Sequence, residues 1–162
     1  MIDRIIYLDD NLVNGLTATA VDSRIDFVSD LEQLERPLGD YSCIITDMQM
    51  KHAESGFEVV ERAIREGRLP YVATGGTYEH GGTFNRVRVF NSDLVKTFDG
   101  MSKSEERFWR DLLQFIDAED GNSTQQALRK TKEPLGIVPE DQVRILMGVY
   151  RMNYSVRRKS KN

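Results

Sequence analysis

Short apolar, β-branched runs recur along the chain, each closed by acids, glycines or other polar residues: RIIYL (4–8), IDFV (25–28), CIIT (43–46), YVAT (71–74) and LVK (94–96). Runs this short and this uniformly apolar predict strands buried on both faces. Helical patterns lie between and after them. SDLEQLERPL (29–38) opens on Ser29 with Glu32 three residues on, a capping box, and sets Leu31 and Leu34 on one side. GFEVVERAIREG (56–67) places Val59, Val60, Ala63 and Ile64 on one face and the i,i+4 pairs Glu58–Arg62 and Glu61–Arg65 on the other, with Gly67 as its stop. After the fifth run, SKSEERFWRDLLQFI (102–116) pairs Ser102 with Glu105 as a second capping box and carries the stripe Phe108, Trp109, Leu112, Leu113, Ile116. Strands alternating with helices predict an α/β domain, a doubly wound five-stranded parallel sheet. Two crossings read as poor helices, with at most a turn or two in either: 11–24, which contains Asn14-Gly15, and 75–92, which contains four glycines.

The end of the chain has a different pattern. GNSTQQ (121–126) reads as a linker. Pro139 followed by Glu140 and Asp141 is helix-start chemistry, and Val143, Leu146, Met147, Tyr150 and Tyr154 form an apolar face that something must cover. Arg157, Arg158, Lys159 and Lys161 follow. Charge divides the same way. Residues 1–120 hold 13 Lys and Arg against 23 Asp and Glu, a net −10, while 121–162 hold 9 against 3, a net +6. We therefore read a body over 1–120 and a short basic helical C-terminal extension over 121–162. A single cysteine excludes an intrachain disulfide, no apolar run is long enough to span a membrane and the N-terminus is not a signal peptide, so a cytoplasmic protein is expected. No helix-turn-helix pair accompanies the basic tail, and nucleic acid is not an expected partner.

The strand ends carry the candidate chemistry. The first run ends in Asp9-Asp10, the third in Asp47, the fourth in Thr74 and the fifth in Lys96. An open parallel sheet binds its ligands at the carboxyl ends of its strands, so these groups should converge. Three carboxylates in one crevice repel one another unless a cation lies among them, and a hard divalent ion, Mg²⁺ above all, suits oxygen ligands. With Lys96 opposite and the Thr74 hydroxyl beside it, the set is built to hold a tetrahedral anion on one carboxylate.

The pattern resembles the receiver domains of two-component response regulators, of chemotaxis-regulator type, over residues 3–117. The parts are YLDDN, IITDMQM followed by Gly56, VATGG and LVKTF, in that order. The resemblance implies a receiver or flavodoxin-like fold and a signalling module that is not an enzyme beyond phosphorylation and dephosphorylation of its own aspartate. It implies that Asp9 and Asp10 bind Mg²⁺ with Asp47 and the backbone carbonyl of Gln49, that Asp47 is the phosphoacceptor, that the Thr74 hydroxyl follows the phosphoryl group and that Lys96 pairs with it. Its partners would be a phosphodonor such as a sensor histidine kinase and a downstream protein, with a homodimer through the extension left open.

The chain departs from that pattern at several points. The acceptor loop reads Asp47-Met48-Gln49-Met50-Lys51, the lysine is followed by Thr97 where the family has proline, and Asp93 stands where the switch aromatic is usual. The short first crossover also resembles divergent receiver-like domains whose partners are not histidine kinases. Two other readings stand beside the first: a pseudo-receiver that keeps the fold and acts by protein contacts without phosphorylation, and a phosphohydrolase with an aspartyl nucleophile on the first strand, against which Asn11 breaks the D-x-D pattern. His52 and His80 read as loop residues, Cys43 as a small buried hydrophobe, Trp109 as core, and GGTYEHGG as a loop that lacks the Lys-Ser/Thr of a P-loop.

Overall fold

The computed structural model describes residues 2–47, 50, 55–68, 70–75, 87–91, 94–98, 102–120 and 139–148; residues 55, 74–75, 87–91, 94–98 and 119–120 are described by their backbone. The elements are β1 (Ile5–Leu8), α1 (Leu12–Val21), β2 (Ile25–Val28), β3 (Cys43–Thr46), α2 (Ser55–Arg65), β4 (Tyr71–Gly75), β5 (Val87–Asn91), β6 (Leu94–Phe98), α3 (Glu106–Asp120) and a fourth helix, α4, over 140–148. The sheet order is β2-β1-β3-β4-β5-β6. β2, β1, β3 and β4 are parallel, as the alternation of strands and helices predicts. No helix among the described residues is long and apolar enough to cross a membrane.

The five-stranded parallel sheet is corrected at its far edge. Among the described residues only four strands pair in parallel. The fifth predicted strand is β6, and it does not join β4; β5 lies between them, antiparallel to both. The reason is visible in VRVFN-SD-LVKTF, two β-forming runs separated by two residues, which is the spacing of a hairpin and too short for a parallel crossover. Residues 75–92, where at most a turn or two of helix was expected, thus contribute a strand.

The helices lie on both faces of the parallel strands. One face packs Ile5, Tyr7, Cys43, Ile45, Tyr71 and Ala73 against Ala18 of α1 and Phe108, Trp109, Leu112, Leu113 and Ile116 of α3. The other packs Ile6, Leu8 and Ile44 against Val59 and Ala63 of α2 and Leu38 and Tyr41 of the preceding loop. Each central strand is buried on both sides, which explains its unbroken apolar sequence.

Two local expectations also change. Residues 11–24 form a real helix of 10 residues. Asn11 caps it, its side-chain oxygen accepting the Val13 and Asn14 backbone N–H groups at 3.0 and 3.3 Å. Gly15 lets the helix lie directly on Phe27, against which no Cβ would fit. The capping-box segment 29–38, by contrast, holds only two 3-10 turns, Leu31–Gln33 and Leu38–Asp40. Pro37 disfavours helix at the residue before it, and Asp30 takes the cap, accepting the Glu32 N–H at 2.7 Å. In α2 all four predicted apolar residues are buried, Gly67 terminates the helix at φ 77°, and Glu61–Arg65 pairs at 2.9 Å. Of the tail stripe, Val143 and Met147 are buried; Tyr150 and Tyr154 lie outside the described residues.

Candidate functional site

Register builds the site. Leu8 of β1 pairs with Thr46 of β3, so the next residues, Asp9 and Asp47, leave adjacent central strands side by side at the carboxyl edge. The Asp47 N–H still donates to the Leu8 carbonyl at 2.9 Å, which holds the two chain paths together at this point. Asp10 follows Asp9 and is exposed where Asp9 and Asp47 are buried. One carboxylate oxygen from each of Asp9, Asp10 and Asp47 lies within 4.8 Å of the others, and this cluster could hold a metal ion.

The cation opposing these carboxylates is Lys103, which sequence reasoning passed over. Its ammonium lies 2.7 Å from Asp9 Oδ2 and 3.1 Å from Asp47 Oδ1, and donates to the Ala73 carbonyl of β4 at 3.2 Å. It enters from the loop before α3, and Trp109 fixes that loop by donating its indole N–H to the Lys103 carbonyl at 2.7 Å. Thr17 of α1 adds a weaker hold on the Ser104 carbonyl at 3.4 Å. The predicted lysine, Lys96, sits on β6, two strands out from β4. It pairs with Val89, which pairs with Ala73, so its backbone is about 10 Å from that of Ala73. The side chains of Lys96 and Thr74 lie outside the described residues, as do Met48 and Gln49, whose carbonyl was the fourth expected ligand. The backbone of Thr74 follows Ala73 directly along β4.

Asp9 is held by four donors. Its Oδ2 accepts from Lys103, from the Asn14 side-chain amide at 3.1 Å and from the buried Tyr7 hydroxyl in a short bond; its Oδ1 accepts the Asn11 backbone N–H at 2.9 Å. Tyr7 and Asn14 are further residues the sequence reading missed. Tyr7 stands two positions before Asp9, so strand alternation places both side chains on one face. Asn14 is on the first turn of a helix for which at most a turn or two was expected.

The electrostatics follow from these contacts. Burial pushes the Asp9 carboxyl up, but the adjacent Lys103 charge and the hydrogen bonds from Lys103, Tyr7 and Asn11 more than offset it, and Asp9 lies below its ordinary range. Burial first and then the Asp9 charge raise Asp10. Burial, followed by the Asp9 charge, carries the Tyr7 hydroxyl well above its ordinary range, so it remains a donor at neutral pH. For Lys103 burial opposes the charged form, yet Asp47 and Asp9 together raise its pKa. With the three carboxylates and the ammonium ionised, the site carries a net charge of about −2, which a hard divalent cation would balance.

No protein-family model, curated protein or solved structure matches this chain.

Proposed function

We propose that the chain is a receiver-like signalling module in which Asp47 accepts a phosphoryl group at a site that also binds Mg²⁺. One observation carries the reading. A buried ammonium, Lys103, bridges two strand-tip carboxylates of a three-carboxylate cluster at the carboxyl edge of a parallel sheet. Oxygen donors and an excess of negative charge fit a small hard cation. Asp10 and Asp47 are the carboxylates to hold it directly, because four donors already engage Asp9. The bound cation would supply neutralisation of phosphoryl oxygens.

The rest of the chemistry belongs to the chain. An Asp47 oxygen attacks the phosphorus of a donor; a new O–P bond forms as the donor's bond to phosphorus breaks, and the leaving group departs with its electron pair. Lys103 neutralises the charge on the transferred group from the side away from Asp10, in the role the resemblance assigns to Lys96. Thr74 is the hydroxyl that the resemblance places beside it. A phosphodonor such as a sensor histidine kinase and a downstream protein are the corresponding partners.

The pseudo-receiver reading has its own support: Lys103, Tyr7, Asn14 and Asn11 satisfy Asp9 from within the chain, so part of the cluster already has a structural role. Beryllofluoride with Mg²⁺, and acetyl phosphate followed by intact mass, separate the two. The wild type should change its Trp109 emission with beryllofluoride and gain the mass of one phosphoryl group, and Asp47→Asn should do neither. No spectral change and no adduct in the wild type would leave the pseudo-receiver.

A further inference from the structure

The proposed cation site has a densely hydrogen-bonded carboxylate on its protein side. Asp9 Oδ2 accepts three hydrogen bonds, from Tyr7, Asn14 and Lys103, and Oδ1 accepts a fourth from the Asn11 backbone. An ionised carboxylate offers about four lone-pair positions, and Oδ2 is oversubscribed. Two of these donors are neutral side chains, and both are buried. Tyr7 is packed between Phe27 and Trp109, with ring centroids 5.6 and 4.5 Å away, so its hydroxyl cannot swing elsewhere. Asn14 comes from α1.

We propose that Tyr7 and Asn14 are positioning residues that set cation selectivity, holding Asp9 on Lys103 so that the site presents two carboxylates to an ion of Mg²⁺ size and discriminates against Ca²⁺. This rests on the cation reading above. The physical basis is the difference between the ions. Mg²⁺ keeps several waters and takes one or two carboxylates, whereas Ca²⁺ takes six to eight oxygens at longer range and gains from each further carboxylate. A third carboxylate released toward the site therefore helps Ca²⁺ more than Mg²⁺. Neither Tyr7 nor Asn14 needs to touch the ion, and partners one step removed from a metal change affinity by about 10- to 100-fold.

The test is a titration of the full chain with MgCl₂ and with CaCl₂, followed by calorimetry and by emission of Trp109, the single tryptophan, whose indole is bonded to the Lys103 carbonyl. In Tyr7→Phe the ratio of Mg²⁺ to Ca²⁺ affinity should fall by about tenfold. Asn14→Ala, which removes the other neutral donor to the same oxygen, should move the ratio in the same direction and carries the test if Tyr7→Phe does not fold. A residue that only packs the core would lower the melting temperature and leave the ratio alone. A wild type that binds Mg²⁺ with a ratio unmoved in both variants overturns this inference and leaves the cation reading standing. A wild type that binds neither ion overturns both.

Discussion

The indole N–H of Trp109 donates to the backbone carbonyl of Lys103 at 2.7 Å, and that bond ties the charged site to the core. Trp109 is completely buried, in contact with Tyr7 and Phe108 at ring-centroid distances of 4.5 and 5.0 Å. Lys103 belongs to a loop, yet its carbonyl end is fixed by α3 and its ammonium end by β1, β3 and β4. A lysine placed this way is a rigid part of the site.

Removing that ammonium should therefore be costly. Lys103→Met leaves Asp9 and Asp47 buried without their counter-charge, and breaking a buried pair from one side costs about 3–5 kcal/mol. Urea unfolding in chelator should show a loss of that order. Mg²⁺ should restore part of it, since an ion at a hundredfold excess over its Kd adds about 2.7 kcal/mol. Lys96→Met, whose backbone lies two strands out from β4, should unfold like the wild type and keep its response to beryllofluoride. The opposite ranking of the two variants would return the role to Lys96.

The contrast between these lysines shows what the sequence could and could not disclose. β1, β3 and β4 are readable because burial on both faces makes them unbroken apolar runs, and the acids that end them stand out as the first positions where the pattern fails. The pairing of Leu8 with Thr46 then follows from simple parallel neighbours, and Asp9, Asp10 and Asp47 come together as expected. Lys103 was not readable by that rule because it ends no strand; it stands in the cap of α3, where SKSE looks like helix-start chemistry alone. Tyr7 was hidden for a related reason, since a tyrosine in an apolar strand counts toward the core until the partner of its hydroxyl is known. The hairpin of β5 and β6 was signalled by its two-residue separation, but the glycines before it concealed the first strand.

Gly15 should resist replacement even by the best helix former. A Cβ built there lies 2.5 Å from Phe27 Cζ and closer still to two other ring atoms. Alanine gains about 1 kcal/mol of helix propensity over glycine. Forcing atoms into packed space costs about 1–3 kcal/mol, and this overlap is severe. Gly15→Ala should be less stable by about 1–2 kcal/mol in urea unfolding. A more stable variant would mean that Phe27 can move aside and that α1 is not clamped to β2.

Acid sensitivity has an identifiable source away from the site. The Arg24 side chain hydrogen-bonds to Asp22 at 2.8 Å, and this bond holds the Asp22 carboxyl below its ordinary value of 3.8. A carboxyl lowered by folding stabilises the fold above its unfolded pKa, and that contribution disappears as pH falls through the lower folded value. The loss thus begins near pH 3.8 and continues below it. Asp22→Asn should be less stable than the wild type at neutral pH and should show a smaller decline between about pH 5 and pH 2 in melting experiments. Parallel decline in the two proteins would assign the acid limb to other carboxylates.

The C-terminal helix should be held to the body by its apolar residues more than by its ion pair. Arg65 of α2 makes a two-pronged contact with Glu140, one arm at 3.0 Å and the other shorter, and both side chains are about half exposed. Exposed pairs of this kind contribute about 0–1 kcal/mol, less in salt. Val143 and Met147, one turn apart on the same helix, are 1% and 8% exposed. Burying an apolar side chain of this size contributes about 1.5–3 kcal/mol. Arg65→Ala should therefore leave amide exchange of α4 nearly unchanged, whereas Val143→Asp should detach the helix, raising exchange over 140–148 while the central strands stay protected. If instead Arg65→Ala alone released α4, or Val143→Asp unfolded the whole sheet, the helix would be either an electrostatic latch or an integral part of the core, and the boundary drawn between body and extension would have to move.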